Sequence, residues 1–148
     1  METKRFTQFG TFSVATLLPL MLIMISLANI TAERGKSDAY GYLVTAFVLF
    51  LCLVNFYQLT IRVDDEHVSF KMGIGLGKRY RLEDIKSCEP VTNSLWNGIG
   101  IRILSNGWLY NVSGLNAIEL RFKDKTSVVR IGTDKPEEIS QLIQSRLK

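Results

Sequence analysis

Residues 11–30 read TFSVATLLPLMLIMISLANI, and this stretch decides the architecture because it has no charge and is dominated by large apolar side chains. A helix needs about 20 such residues, rising about 1.5 Å each, to cross a hydrocarbon core of about 30 Å. A second uncharged stretch covers residues 39–61 and is most apolar over residues 43–54. Lipid offers the backbone no hydrogen-bond partners, so we predict two transmembrane helices, at about residues 11–30 and 39–57.

The connection between the two stretches, TAERGKSD at residues 31–38, is short and polar, which predicts a helical hairpin. Basic residues mark the cytoplasmic side of a membrane protein. Two of them precede the first span, five follow the second within residues 62–81, and the loop holds two. We therefore predict that both ends of the hairpin face the cytoplasm.

A cleaved signal peptide is the alternative interpretation of the first stretch. Lys4 and Arg5 form a basic start, and Ser26-Leu27-Ala28 resembles a small-x-small cleavage site. The apolar run exceeds the usual length of about 7–15 residues for such a peptide, which favours a retained helix. Both interpretations leave the C-terminal part on the same side.

From residue 57 the apolar period changes from helical to two. Residues 57–63 and 67–72 alternate apolar with polar side chains around the acidic turn formed by residues 64–66, which predicts a β-hairpin. Further alternating runs follow up to residue 131, and Asn106-Gly107 is a strong hairpin-turn signal. We expect about seven short strands.

The pattern then returns to a helical period. Asp134 can cap a helix, Pro136 suits its first turn, and Glu137 can close a capping box. One apolar stripe predicts a helix of about 14 residues: Ile139, Leu142, Ile143 and Leu147. We therefore predict an α+β protein, with a membrane anchor at residues 1–57 and, at residues 58–148, a barrel or sandwich whose open end the helix covers.

The composition bounds the function. A net charge of +4 is too small to indicate a nucleic-acid partner. Cys52 and Cys88 lie in apolar or strand-like segments, so we expect reduced packing residues. His67 is the single histidine, and no spacing suggests a zinc site or a catalytic pair. We predict no enzyme, and no catalytic, cofactor-binding or metal-binding residue.

Residues 57–148 resemble the bacterial pleckstrin-homology-like (bPH) domains. The following segments carry the resemblance: LTIRV at 59–63 with the acidic turn, VSFK at 68–71, GIGLG at 73–77, KRYR at 78–81, LEDI at 82–85, WNGIGIR at 96–102, and residues 107–120. The resemblance implies a PH-like fold, often with one or two membrane helices beside it. It also implies binding or scaffolding and supplies no catalytic motif.

The candidate contact residues are basic or aromatic. Lys78, Arg79 and Arg81, with Lys71 across the hairpin, form the densest basic cluster. Near an anionic membrane each is worth about 1 kcal/mol, although a charge-protected edge strand has the same pattern. Trp96, in the loop SLWNGIG, can anchor a partner or pack in the core.

The glycines of GIGLG at residues 73–77 precede Lys78 and invite comparison with a phosphate-binding loop. The spacing does not match, because such a loop needs four residues between its glycines and a Ser or Thr after the lysine. We expect a flexible hairpin connection there.

Two functions remain open from the sequence. The first is a binding or scaffolding module anchored in the bacterial inner membrane, facing the cytoplasm and contacting the bilayer, anionic lipid head groups and a membrane protein partner. The alternative is a small structural subunit or assembly factor of a larger membrane complex, with the helices as its interface. Helix faces rich in small residues, such as Ala15 and Gly41, would favour the alternative.

Overall fold

The computed structural model describes residues 3–34, 37–94 and 99–147. The two predicted apolar helices are present: α1 spans Thr11–Glu33 and α2 spans Ala39–Phe56. Each is long and apolar enough to cross a membrane, and the two pack side by side as a hairpin. The chain therefore has two helices that could span a bilayer.

The buried positions of the two helices are small. They are Ser13 and Ala28 in α1, and Ala39 and Ala46 in α2. The large Leu, Ile, Val and Phe side chains of both helices mostly point away from the rest of the molecule. Small residues let neighbouring helices approach closely in a membrane, while large apolar side chains suit contact with lipid.

Sheet A contains four antiparallel strands in the order β1-β2-β3-β4. Their bounds are Lys4–Phe9, Gln58–Val63, His67–Met72 and Leu76–Arg81. The hairpin formed by β2 and β3 is as predicted. Strand β1 was not predicted, because Lys4 and Arg5 before the first apolar stretch indicate only a basic end of the anchor. Its inward positions include Gln8, so the strand lacks a clear apolar alternation.

Sheet B contains five strands in the order β5-β8-β9-β7-β6. Their bounds are Ile85–Thr92 for β5, Gly100–Leu104 for β6, Gly107–Asn111 for β7, Asn116–Phe122 for β8 and Val128–Gly132 for β9. All pairs are antiparallel except β7 with β9, which are parallel. The described residues thus form nine strands, two more than the seven expected, in two separately hydrogen-bonded sheets.

Helix α3 spans Pro136–Arg146 and is 11 residues long, shorter than expected. The predicted cap is wrong: Lys135 is the N-cap residue, and no side chain caps the helix. The predicted apolar stripe is confirmed, because Ile139 and Ile143 are fully buried in the core. A mixed α+β architecture with one C-terminal helix is therefore confirmed.

The core lies between the two sheets and beneath α3. It includes the inward side chains of β2 and β3, such as Ile61 and Phe70, and those of β8, such as Ile118 and Leu120. The rings of Phe70 and Tyr110 bring sheets A and B together, with centroids 4.6 Å apart. Burial of these apolar surfaces is the main force that holds the sheets against each other.

The helical hairpin joins sheet A without a linker. The amide of Gly10 donates to the carbonyl oxygen of Tyr57 at 2.8 Å, and β1 pairs with β2 immediately beyond this bond. A Cβ atom on Gly10 would clash with the carbonyl oxygen of Phe56. This pairing keeps both ends of the hairpin on one side of any membrane that the helices cross.

The turn between β3 and β4 also packs against α2. The amide of Ile74 donates to the carbonyl oxygen of Val54 at 3.2 Å, and the amide of Gly73 donates to that of Gln58 at 2.8 Å. Gly73 has φ of +47°, and a Cβ atom there would clash with the Val54 carbonyl oxygen. The glycine segment expected to be a flexible connection is a tight turn whose shape fits the end of α2.

Candidate functional site

The outer face of sheet A, which points away from the core, presents a row of basic side chains. Directly paired residues of neighbouring antiparallel strands lie on the same face. The register pairs Arg5 with Arg62, Arg62 with Ser69, and Ser69 with Arg79. Three arginines and one hydroxyl therefore form a row across all four strands, and each of the arginines is exposed.

A second row lies two residues closer to the helices. The register places Thr7, Thr60, Lys71 and Gly77 side by side. The hydroxyls of Thr7 and Thr60 are 3.3 Å apart. Because Gly77 has no side chain, a shallow groove opens between the two rows.

We call the outward cations of this sheet the basic face. Its members are Arg5, Arg62, Lys71, Arg79 and Arg81. Among the described residues, no carboxylate forms an ion pair with Arg5, Arg62 or Lys71. The middle of the basic face therefore carries positive charge that no acidic side chain compensates.

The end of the basic face farthest from the helices is partly neutralised. Arg79 is within hydrogen-bonding distance of the Nδ1 atom of His67, at 3.0 Å, and lies 3.7 Å from an Asp64 carboxylate oxygen. Arg81 pairs with Glu83 at 2.6 Å. These contacts orient the two arginines and leave Arg62 and Lys71 as the unpaired centre.

Asp64 shapes the turn that joins β2 to β3. Its Oδ1 atom accepts hydrogen bonds from the amides of Glu66, at 2.9 Å, and His67, at 2.6 Å. Desolvation opposes ionisation of this carboxyl, but those amides, with His67 and Arg79, outweigh it and lower the pKa of Asp64. The Asp64 carboxylate therefore holds the tight turn that joins two strands of the basic face.

The structure does not bring all of the predicted contact residues together. Lys71, Arg79 and Arg81 share the basic face, whereas Lys78 alternates to the other side of β4. The Lys78 ammonium lies over the rings of Trp108, at 5.6 Å, and Tyr110, at 5.4 Å. Cation–π contact with these rings fixes Lys78 on the side of the strand that faces sheet B.

The fifth predicted residue, Trp96, lies outside the described residues. Sequence reasoning counted Arg5 and Arg62 only as orientation signals and missed them as members of the basic face. The hairpin register alone could have revealed Arg62, because a turn at residues 64–66 pairs it with Ser69. Arg5 could not be found that way, since strand β1 itself was not predicted.

Exposed apolar side chains occur at the end of sheet A that meets the helices. Phe9, at the end of β1, and Ile74, in the β3–β4 turn, are each 65% exposed. Leu76 at the start of β4 is 46% exposed. Large apolar residues this accessible, next to two apolar helices, suit the boundary between lipid chains and head groups.

A second cleft lies at the far end of the sheet and has a mixed character. Its lining includes both acidic and basic side chains, and these pair with one another. Arg146 lies 3.4 Å from Asp65, and Arg81 pairs with Glu83. This internal neutralisation leaves little charge to attract a ligand.

The described part of the chain holds no cluster of three His, Cys, Asp or Glu residues that could bind a metal ion. Both cysteines are free thiols. Cys88 is buried in the core, and this burial, with the nearby Glu89 carboxylate, raises its pKa to about 12. A thiol in that state is not a nucleophile at neutral pH.

Comparison with known proteins assigns no family: no protein-family model matches the sequence, and no curated protein matches it significantly.

Proposed function

We propose that this chain is a PH-like binding or scaffolding module anchored at the cytoplasmic face of a bacterial inner membrane. Residues 1–57 provide the anchor, with β1 also contributing to sheet A, and residues 58–148 form the binding domain. The observation that carries the proposal is the direct junction of helices and sheet through Gly10 and Tyr57. A domain joined in this way presents one fixed surface to whatever lies at the membrane.

The architecture is compatible with a PH-like fold. Two β-sheets enclose one core, and a single C-terminal helix covers it through Ile139 and Ile143. Strand β1 and the parallel pairing of β7 with β9 go beyond the seven strands expected of such a domain. We therefore propose a PH-like unit to which the N-terminal segment of the anchor adds one strand, β1.

A binding role is favoured over catalysis by the chemistry of the exposed surface. The basic face offers cations and hydroxyls, which recognise anions, and its groove is shallow. The single histidine, at the start of β3, accepts a hydrogen bond from Arg79, and the Cys88 thiol is buried. We therefore assign the basic face to binding, and the histidine and Cys88 to contacts within the fold.

The alternative, a structural subunit or assembly factor, would use the helices as its interface. Ser13 and Ala46 are already buried within the molecule. Most of the exposed helix surface carries large apolar side chains, although Ala15 and Gly41 are also exposed. This distribution favours contact with lipid over close packing against further helices.

A pull-down of the full-length protein from mild detergent tests the proposal. The critical variant combines Lys71→Ala, Arg79→Ala and Arg81→Ala, which removes three charges from one face without touching the core. We expect a membrane protein partner to co-purify with the unchanged chain and to be lost from this variant.

The matched control is Lys86→Ala, Lys123→Ala and Lys125→Ala, which removes three exposed charges from a cleft on sheet B. The control should retain the partner. A partner that survives both sets of substitutions would support the subunit alternative, and no partner on the unchanged chain would contradict scaffolding.

A further inference from the structure

We infer that the basic face of sheet A docks on the phosphate groups of anionic phospholipids in the same bilayer that α1 and α2 cross. This inference rests on the proposed membrane anchorage. It adds the surface that binds, which is the basic face, and the ligand, which is lipid phosphate. The occupant is the lipid surface itself, which a tethered domain meets at high local concentration.

Charge complementarity is the first argument. The basic face contains five cations, and the outward positions of the four strands of sheet A carry no carboxylate. Each basic residue near an anionic surface favours the docked state roughly fivefold. The cations that lack acidic partners, Arg5, Arg62 and Lys71, lose no internal pairing when they meet phosphate.

The position of the face is the second argument. Strand β2 begins at Gln58, directly after Tyr57, so the row of Thr60 and Lys71 lies about 10 Å along the strand from Tyr57. The row of Arg62 and Arg79 follows at about 17 Å, and a tilt of the sheet would bring both closer. Electrostatic attraction decays over about 8 Å at physiological salt, so an upright domain would hold the arginine row beyond that range. The docked state is therefore the one in which the sheet inclines until both rows reach the head groups.

The order of side chains along the face is the third argument. Phe9 and Ile74 are exposed and apolar at the helix end, hydroxyls and Lys71 follow, and arginines come last. A membrane interface changes in the same order, from hydrocarbon to phosphate. The order of apolar, polar and cationic side chains along the face therefore matches the order of hydrocarbon and phosphate across the membrane interface.

The groove between the rows provides the local recognition. Arg62 and Arg79 lie on either side of Ser69 in the register, and all three residues line the same groove. Planar guanidinium forks match phosphate oxygens in pairs, and the hydroxyl adds a donor. Gly77 leaves the space above the sheet open for the head group.

The test uses full-length protein with the substitutions Cys52→Ala and Thr7→Cys, labelled with bimane at the new thiol. Cys88 stays unlabelled because it is buried. The protein is placed in nanodiscs of phosphatidylcholine alone or with phosphatidylglycerol, and quenching by acrylamide is measured. We expect protection of the probe only with phosphatidylglycerol, and its loss at about 1 M salt, where screening acts within about 3 Å.

The variant Arg62→Ala with Arg79→Ala should lower the docked-to-undocked ratio roughly 30-fold, while Lys123→Ala with Lys125→Ala should leave it unchanged. A probe at Ser127→Cys, in the exposed connection between β8 and β9 of sheet B, should be quenched equally in both nanodiscs. Equal quenching of the Thr7 probe in both nanodiscs would overturn the inference.

A further arm separates the two sources of phosphate. Inorganic phosphate added to phosphatidylcholine nanodiscs should not protect the Thr7 probe; protection there would assign the face to a soluble phosphate ligand and overturn docking on lipid. Incorporation into the nanodiscs is itself measured. Failure to incorporate would contradict the proposed anchorage, whereas incorporation without protection would contradict only the docking.

Discussion

The amide of Gly10 donates a 2.8 Å hydrogen bond to the carbonyl oxygen of Tyr57, which ties the residue before α1 to the residue after α2. Because β1 and β2 then run on as a pair, the helical hairpin and sheet A form one continuous unit. A domain attached by a flexible linker could turn any face to the membrane, but this one can present only a fixed set of residues.

Gly73→Ala should unfold the junction between the turn and α2. The position has φ of +47°, and a Cβ atom would collide with the Val54 carbonyl oxygen. Left-handed backbone and overpacking together should lower the free energy of unfolding by about 2 kcal/mol or more. Gly41→Ala is the control, because its Cβ would meet no neighbouring atom. Equal melting temperatures of the two variants in detergent would show that the turn is not packed as described.

Glu119→Ala should be among the most damaging single changes in sheet B. The buried carboxylate of Glu119 accepts a hydrogen bond from Arg130 at 2.7 Å and lies 2.8 Å from Arg121 as an ion pair. Its removal leaves the partly buried Arg130 without its acidic partner, at a cost of about 3 kcal/mol.

The comparison for Glu119 is Glu83→Ala, which breaks the exposed pair with Arg81. An exposed ion pair contributes at most about 1 kcal/mol, so this variant should unfold close to the unchanged protein. Urea unfolding of both variants measures the difference. Similar losses of stability would mean that burial does not strengthen the Glu119 pair.

Lys78→Ala should leave docking on anionic lipid unchanged, although Lys78 is adjacent to Arg79 in the chain. Its ammonium faces Trp108 and Tyr110, on the opposite side of the strand from the basic face. Loss of the cation–π contacts should cost about 1 kcal/mol of stability. Protection of the Thr7 probe in phosphatidylglycerol nanodiscs that falls as much for Lys78→Ala as for Arg79→Ala would contradict the assignment of faces.

The Cys88 thiol should resist alkylation while the protein is folded. Burial, with the nearby Glu89 carboxylate, raises its pKa to about 12, well above the usual value for a thiol. At about pH 8 a maleimide should react with it only on addition of denaturant, when measured by mass in a Cys52→Ala background. Fast labelling of the native protein would place the thiol outside the core.

The raised pKa of Cys88 also makes the stability of the folded protein depend on pH. The folded pKa lies above the unfolded value, so the contribution of the thiol to stability is complete below pH 9 and is lost as the pH rises towards 12. Cys88→Ala should therefore reduce the fall in stability over that alkaline range. If the free energy of unfolding, measured in urea, falls equally with rising pH in Cys88→Ala and in the unchanged protein, the raised pKa of Cys88 would be contradicted.

Much of the fold could be predicted from the sequence because the signals are local. The uncharged runs at residues 11–30 and 39–57 could hardly be stable except as apolar helices. The hairpin of β2 and β3 follows from strict alternation around Asp64, and the stripe of α3 from Ile139 and Ile143. Each of these elements is indicated by the apolar pattern of its own residues.

The elements that were missed depend on distant parts of the chain. Strand β1 forms because the helical hairpin brings Gly10 beside Tyr57, a contact that no local pattern reveals. The parallel pairing of β7 with β9 is also nonlocal, since β8 lies between them in the chain. The grouping of Lys78 with Arg79 was wrong for a local reason, because neighbouring residues in a strand point to opposite faces.

The most direct test of the account is the sidedness of three single cysteines in a Cys52→Ala background. Thr3→Cys reports the N-terminus, Ser37→Cys the loop between the helices and Ser127→Cys the β domain. A membrane-impermeant maleimide is applied to right-side-out and inverted vesicles from a bacterial host. The account predicts that positions 3 and 127 are labelled only in inverted vesicles and position 37 only in right-side-out vesicles. Labelling of position 37 from the same side as position 127 would contradict a membrane-spanning hairpin that holds the domain at the cytoplasmic face.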